Sequence, residues 1–255
     1  MINLRQQLIV FSLLLVMDAF LAFLSFALGL IDQLGMGEMP SPFDTIPAWQ
    51  LGLANAGIIL VLYGLLGLAG LWFAHKLSLP GVFREDAGWR NWLVIPMAFG
   101  VVVGVVISLA DRLFASTGDW SGLPHPAFPM SLIASATAGI GEEIVFRMFV
   151  LGLWAFLLNL LLKRWQATQV ALWIGNVIAA LAFGAGHLPT VMVLLGAASL
   201  AEIPPLLVGE IFLLNGIVGL VAGERYMRDG LIAAVGVHFW TDIVWHVIWP
   251  VVVGL

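Results

Sequence analysis

Glu142, Glu143 and Arg147 put two carboxylates and a guanidinium inside residues 130–162, a run otherwise apolar enough for a lipid bilayer. An ionisable residue in such a place defaults to a functional role, because holding it there is costly. On a helix, positions 143 and 147 share a face and pair as carboxylate and guanidinium. Position 142 is rotated by about 100° from 143 and points elsewhere. One glutamate is thereby tied into a structural pair while the other stays reactive. Two later apolar runs carry His187, in Phe183-Gly-Ala-Gly-His187, and the stripe His238, Asp242 and His246, spaced four apart. A carboxylate at low dielectric takes up a proton more readily than in water, and an imidazole beside it shares the task. Together they activate water. With a further histidine to stabilise developing negative charge, the set suffices for amide hydrolysis without a covalent intermediate. A proton pathway uses the same residue types.

Each group also has a plainer reading. Glu143 with Arg147 fixes helix packing, a lone membrane histidine bonds a neighbouring carbonyl, and His238 with Asp242 forms a stabilising pair. The unpaired Glu142 argues against packing alone. His246 is read as structural or interfacial, and Asp18, Glu210, Asn176 and Asn215 as packing or cavity lining. The H-E-x-x-H zinc motif and the G-x-S-x-G nucleophile turn are both absent from the chain.

The elements that must position these groups are membrane helices. The chain is 62% hydrophobic and only 10% charged, far above the apolar content of a soluble domain. A span needs about 20 apolar residues, which places spans near 8–30, 50–74, 92–110, 130–162, 169–199, 205–223 and 231–253. The fold class is therefore all-α, a polytopic transmembrane helical bundle of about seven spans (six to eight), with 1–255 read as a single membrane domain. Residues 8–30 exceed a signal-peptide core and lack a clear cleavage site, so they are read as a retained span. The fifth span is expected to run on through 188–204, kinked near Pro189.

That choice makes the fourth and fifth spans a hairpin turning near residue 165. Glu142 lies 23 residues before the turn and His187 22 after it, so opposed helices bring them to one height. Ala134, Ala138 and Gly141 before the glutamates, Gly184 and Gly186 beside the histidine, and the stripe Gly216, Gly219, Gly223 are the small residues that membrane helices use to pack closely. His238 is less well matched, standing about ten residues past an expected loop at 224–230.

Charge sets the expected orientation. The loop at 31–49 carries Asp32, Glu38 and Asp44 with no Lys or Arg, whereas 75–91, 163–168 and 224–230 carry Lys76, Arg84, Arg90, Lys163, Arg164, Arg225 and Arg228. Positive charge marks the cytoplasmic side, giving the N-terminus inside and the C-terminus outside. No basic patch suits nucleic acid. With no cysteine in the chain, disulfides, thiolate nucleophiles and Cys-based zinc sites are excluded.

Glu142-Glu143-x-x-x-Arg147, Phe183-x-x-x-His187 and His238-x-x-x-Asp242, in that order, resemble the CAAX-protease and bacteriocin-processing (CPBP) family of intramembrane proteases. The resemblance covers about 130–250, the family-like catalytic core, and takes in Gly223-Glu-Arg-Tyr226-Met-Arg-Asp-Gly230. It implies an all-helical membrane enzyme with a water-accessible site, in which Glu142 and His187 activate water. Glu143 and Arg147 would hold the geometry, and His238 with residue 242 would stabilise the oxyanion. The prenyl-protein-processing branch has Asn at the last position where this chain has Asp242. An ionised Asp donates no hydrogen bond. Asp242 is then either a protonated, donating acid or a metal ligand beside Glu142, His187 and His238. No cofactor is favoured, and a divalent metal is left open.

The reading is an intramembrane endopeptidase cleaving a peptide or membrane-anchored protein, its partners being that substrate and the lipid bilayer. The rivals are a proton-coupled carrier or channel using Asp18, Glu142, His187 and Asp242, and a noncatalytic scaffold or immunity protein. No inverted repeat of the transporter kind is seen.

Overall fold

The backbone of a chain in hydrocarbon must satisfy its own N–H and C=O groups, which leaves helices as the economical solution for apolar runs of this length. The computed structural model describes residues 3–30, 46–117 and 122–254. Expectations placed on Asp32, Glu38, Asp44 and Leu255 lie outside the described residues. Among the described residues, seven helices are long and apolar enough to cross a membrane: α1 (Leu4–Ala27), α2 (Ala48–Leu77), α3 (Arg90–Thr117), α4 (Met130–Trp165), α5 (Thr168–Leu195), α6 (Pro205–Asp229) and α7 (Leu231–Val253). The protein is a multi-pass integral membrane protein. Leu13, Val61, Leu65, Leu113 and Leu161 lie exposed on the outer faces, where lipid tails would meet them.

At the centre is α4, packed against α1, α2, α5, α6 and α7. Its Ile144, Met148, Leu151 and Ala155 are fully buried. The α4–α5 hairpin turns where expected, with Gln166 in the left-handed region (φ 56°). Two boundaries differ from expectation. The fifth helix runs unbroken through Pro189 but stops at Leu195, where Gly196 takes φ 63° and caps it. Residues 224–229 are not a loop: α6 continues to Asp229, and the turn into α7 is the single residue Gly230. The i,i+4 ion pairs Arg225–Asp229 and Glu224–Arg228 suit the charged turn to a helix.

The Gly230 turn is buttressed by the 78–89 connection. The first N–H groups of α7, at Leu231 and Ile232, donate to the carbonyls of Gly81 and Val82. Buried Gln7 of α1 completes the knot, its Oε1 accepting from Val82 N at 2.7 Å and its Nε2 donating to Phe83 O at 2.9 Å. The beginning of α1, the α2–α3 connection and the α6–α7 turn therefore meet at one end of the bundle.

Small residues set the helix spacing, though not all as expected. A Cβ on Gly219 would meet Ala180 and the Arg147 guanidinium, and one on Gly223 would meet Asn176, whereas Gly216 faces open space. Gly184 accommodates Phe212 of α6, and Gly186 accommodates Phe146 of α4.

Candidate active site

All six sequence-predicted residues fall in one region of the bundle. Glu143 and Arg147 are fully buried and form the expected pair, Oε2 to Nε 3.1 Å. The Arg147 guanidinium also lies 4.5 Å from the centre of the Phe183 ring, a cation–π contact that favours its charge. The other oxygen of Glu143 has a partner that sequence spacing did not reveal. His238 of α7 donates Nδ1–H to Oε1 at 2.8 Å. Glu143 thus ties together a guanidinium on its own helix and an imidazole on another.

Fixing Nδ1 of His238 on Glu143 leaves Nε2 to face the other acids. It stands 3.8 Å from Oε2 of Glu142 and 3.6 Å from Oδ2 of Asp242. Glu142 Oε2 is buried with no hydrogen-bond partner. His187 is oriented the same way as His238: its Nδ1–H donates to the Phe183 carbonyl at 2.8 Å, one turn back on α5. A carbonyl accepts only, so Nε2 of His187 is left as the free, basic nitrogen.

Glu142, His187, His238 and Asp242 line a single cavity of about 350 Å³. The height match between positions 142 and 187 is thus met. The mismatch at His238 is resolved by the length of the α4–α5 hairpin. Gly219 of α6 packs on Ala180 of α5; from that level α4 and α5 extend farther than α6, which stops at Asp229. Beyond the polar groups the walls are mostly apolar, among them Leu123, Pro124, Val191, Leu194, Ile211 and Trp245. These residues lie toward the 122–129 segment, so the cavity runs from Glu142 away from the end where Gln7, the 78–89 connection and Gly230 meet.

Two widened helical turns coincide with the site. The helix loosens into π geometry over Ile144–Leu151, directly after Glu143, and over Ile243–Ile248, directly after Asp242. Such turns collect at functional sites because they redirect side chains without ending the helix.

Among the described residues no three His, Asp or Glu side chains converge as metal ligands would. Glu142, His187, His238 and Asp242 line a shared cavity without forming a metal-ligand set.

Sequence reasoning passed over His125. Its Nδ1 lies 3.1 Å from Nδ1 of His246, which also stacks on Trp245. This pair joins the 122–129 segment to α7 at the cavity wall. The Leu123 N–H donates to Asp111 Oδ1 at 3.1 Å, joining the same segment to α3. The Pro124-His125-Pro126 sequence was the only available signal, and nothing in it identifies a partner 121 positions away. Of the polar intrusions assigned to packing, Asn176 donates to Leu220 O and Asn215 to Ile211 O. Asn215 also lines the cavity, and Asp18 lines a second one behind Glu142.

No curated protein and no solved structure matches the chain. Residues 124–244 match the family described as type II CAAX prenyl endopeptidase Rce1-like, a stretch that contains Glu142, Glu143, Arg147, His187, His238 and Asp242. Over those residues the chain carries a domain of the Rce1-like type II CAAX prenyl endopeptidase family.

Proposed function

We propose that the chain is an intramembrane endopeptidase that hydrolyses a peptide or membrane-anchored protein with water activated by Glu142 and His187. The observation that carries this reading is the convergence of an unpartnered carboxylate oxygen on Glu142 with His187, His238 and Asp242 around one cavity. Glu142 takes a proton from water as the water oxygen bonds to the scissile carbonyl carbon. The same proton goes to the leaving amine nitrogen as the C–N bond breaks. His238, carrying both ring protons, keeps Nδ1–H on Glu143 and offers Nε2–H to the oxyanion, with Asp242 as a protonated donor beside it. Arg147 and Glu143 position His238, and the Phe183 carbonyl positions His187. Residues 1–255 act as one membrane domain, with 130–250 as its catalytic core.

The apolar walls suit an apolar segment or anchor on the substrate, and the family description makes a prenylated peptide the first candidate. Eight of the ten Lys and Arg residues flank the connections at the end away from the cavity mouth or lie near the N-terminus. By the positive-inside tendency that end is cytoplasmic, and substrate reaches the cavity from the opposite side. The test is cleavage of a quenched fluorogenic peptide, in prenylated and unprenylated forms, by purified protein in vesicles. Cleavage of either form that depends on Glu142 supports the reading. Cleavage of a prenylated form alone assigns the substrate class. Activity indifferent to Glu142, His187 and His238 together overturns it.

A further inference from the structure

Helices α1 and α2 lie outside the family match, yet they bring a second carboxylate to the back of Glu142. Asp18 of α1 is 1% exposed, and both of its carboxylate oxygens are buried without a hydrogen-bond partner. It lines a cavity of about 330 Å³ together with Ser25, Asn55, Tyr63, Thr137 and Glu142. This is a different space from the candidate active-site cavity, and Glu142, Ala134 and Ala138 line both. Glu142 is therefore the polar side chain that stands between the two. The approach is close: a Cβ on Gly141 would lie 3.1 Å from Oδ2 of Asp18 and 2.7 Å from the Tyr63 ring. The residue before Glu142 thus has to be glycine for α1 and α2 to close on α4.

The titratable groups facing Asp18 are Glu142 from α4 and Tyr63 from α2, and no Lys, Arg or His lines this cavity among the described residues. Two carboxylates in one poorly solvated space with no cation between them resist carrying two negative charges, and such pairs hold a proton in common.

We propose that Asp18 is the proton partner of Glu142: the two carboxyls hold one proton between them, linked through water in the second cavity and seated on Asp18 in the resting protein. Glu142 is then the ionised member, ready to accept the proton of the attacking water, and Asp18 is a positioning residue acting through it. This rests on the proposed role of Glu142, but the pair itself is measurable without catalysis.

Difference infrared spectroscopy during a pH titration of the purified protein reads the carboxylic-acid C=O band of the pair. The expected result is loss of one such band in Asp18→Asn, and a shifted band in Glu142→Gln because its neighbour has changed. In the peptide assay, one ionisation disappears from the pH profile of kcat/KM in Asp18→Asn, since the titration belongs to the pair. Should Asp18→Asn fail to fold, Asp18→Glu must move the band and its titration midpoint. A spectrum unchanged in Asp18→Asn, a midpoint unchanged in Asp18→Glu, or a pH profile that superposes on the wild type overturns the proposal. If Glu142→Gln proves fully active while the band behaves as expected, the endopeptidase reading fails and the proton pair stands.

Discussion

Nδ1 of His238 lies 2.8 Å from Oε1 of Glu143, and this bond joins the last helix to the centre of the bundle. The same carboxylate carries Arg147 on its other oxygen, and all three side chains are nearly or fully buried. A charge stranded in such a place is costly. Removing one member of a buried pair typically costs about 3–5 kcal/mol. Arg147→Ala is therefore expected to lower the yield of folded protein and its melting temperature in detergent, whereas Glu142→Gln leaves both unchanged. Equal melting temperatures for Arg147→Ala and wild type would show that the pair contributes nothing to the fold.

Glu143→Gln tests the positioning role. It keeps the side-chain volume but replaces the carboxylate that holds Nδ1–H of His238 with a neutral amide. Activity is expected to fall by about tenfold or more with KM little changed, since an oxyanion donor out of place loses part of a contribution of about 10²–10³-fold in kcat. An unchanged kcat would mean that His238 is held without Glu143.

At Asp242 the chain departs from the asparagine that the family resemblance would supply. The Oδ2 atom is 3.6 Å from His238 Nε2, close enough for both groups to face one oxyanion. If Asp242 acts as a protonated donor, Asp242→Asn keeps or raises activity and flattens its loss at high pH, and strong chelators have little effect. Loss of activity in Asp242→Asn, together with metal-dependent rescue of chelated wild type, would contradict the donor role.

The 122–129 segment should respond to pH. Burial pushes His125 below its ordinary value of 6.5, with Asp111 opposing the shift. A detached segment, its histidine back in water, then binds more protons than the attached one between the lowered value and 6.5. Attachment is thus strongest above 6.5 and weakens as pH falls below it. Labelling of Leu123→Cys by a thiol reagent, compared at constant thiolate concentration, should speed up on acidification. A rate independent of pH across that window would remove His125 from the attachment.

Orientation is open to the same chemistry on this cysteine-free chain. Cysteines replacing Lys76, Lys163 and Arg228 are expected to react only from the cytoplasmic side, and one replacing exposed Ser199 only from the other. Glu38 and Leu255 are expected to fall on the Ser199 side. Labelling of residue 228 from outside would invert the topology and place the cavity mouth in the cytoplasm.

The spans were legible because lipid imposes length and apolarity, and the hairpin at 165 was legible because its two arms are long and charged at the tip. Glu143–Arg147 could be read because both residues share one helix, where spacing fixes geometry. His238–Glu143 could not, since 95 residues separate them and no periodicity spans two helices. The helical run of 224–229 was missed because its charges suggested a loop, whereas Arg225 pairs with Asp229 and Arg228 with Glu224 along the helix. The rival relay reading grouped Asp18 with Glu142 by residue type alone; it is the packing of α1 on α4 at Gly141 that brings them to one cavity.

Whether Glu142 or its neighbour Glu143 is the base is decided by one comparison. Purified wild type, Glu142→Gln and Glu143→Gln, reconstituted in vesicles and compared at equal amounts of folded protein, are assayed on the quenched fluorogenic peptide that the wild type cleaves. Glu142→Gln is expected to lose about 100-fold or more in kcat, with Glu143→Gln retaining a measurable fraction. Full activity in Glu142→Gln alongside complete loss in Glu143→Gln would contradict this and reverse the two carboxylates.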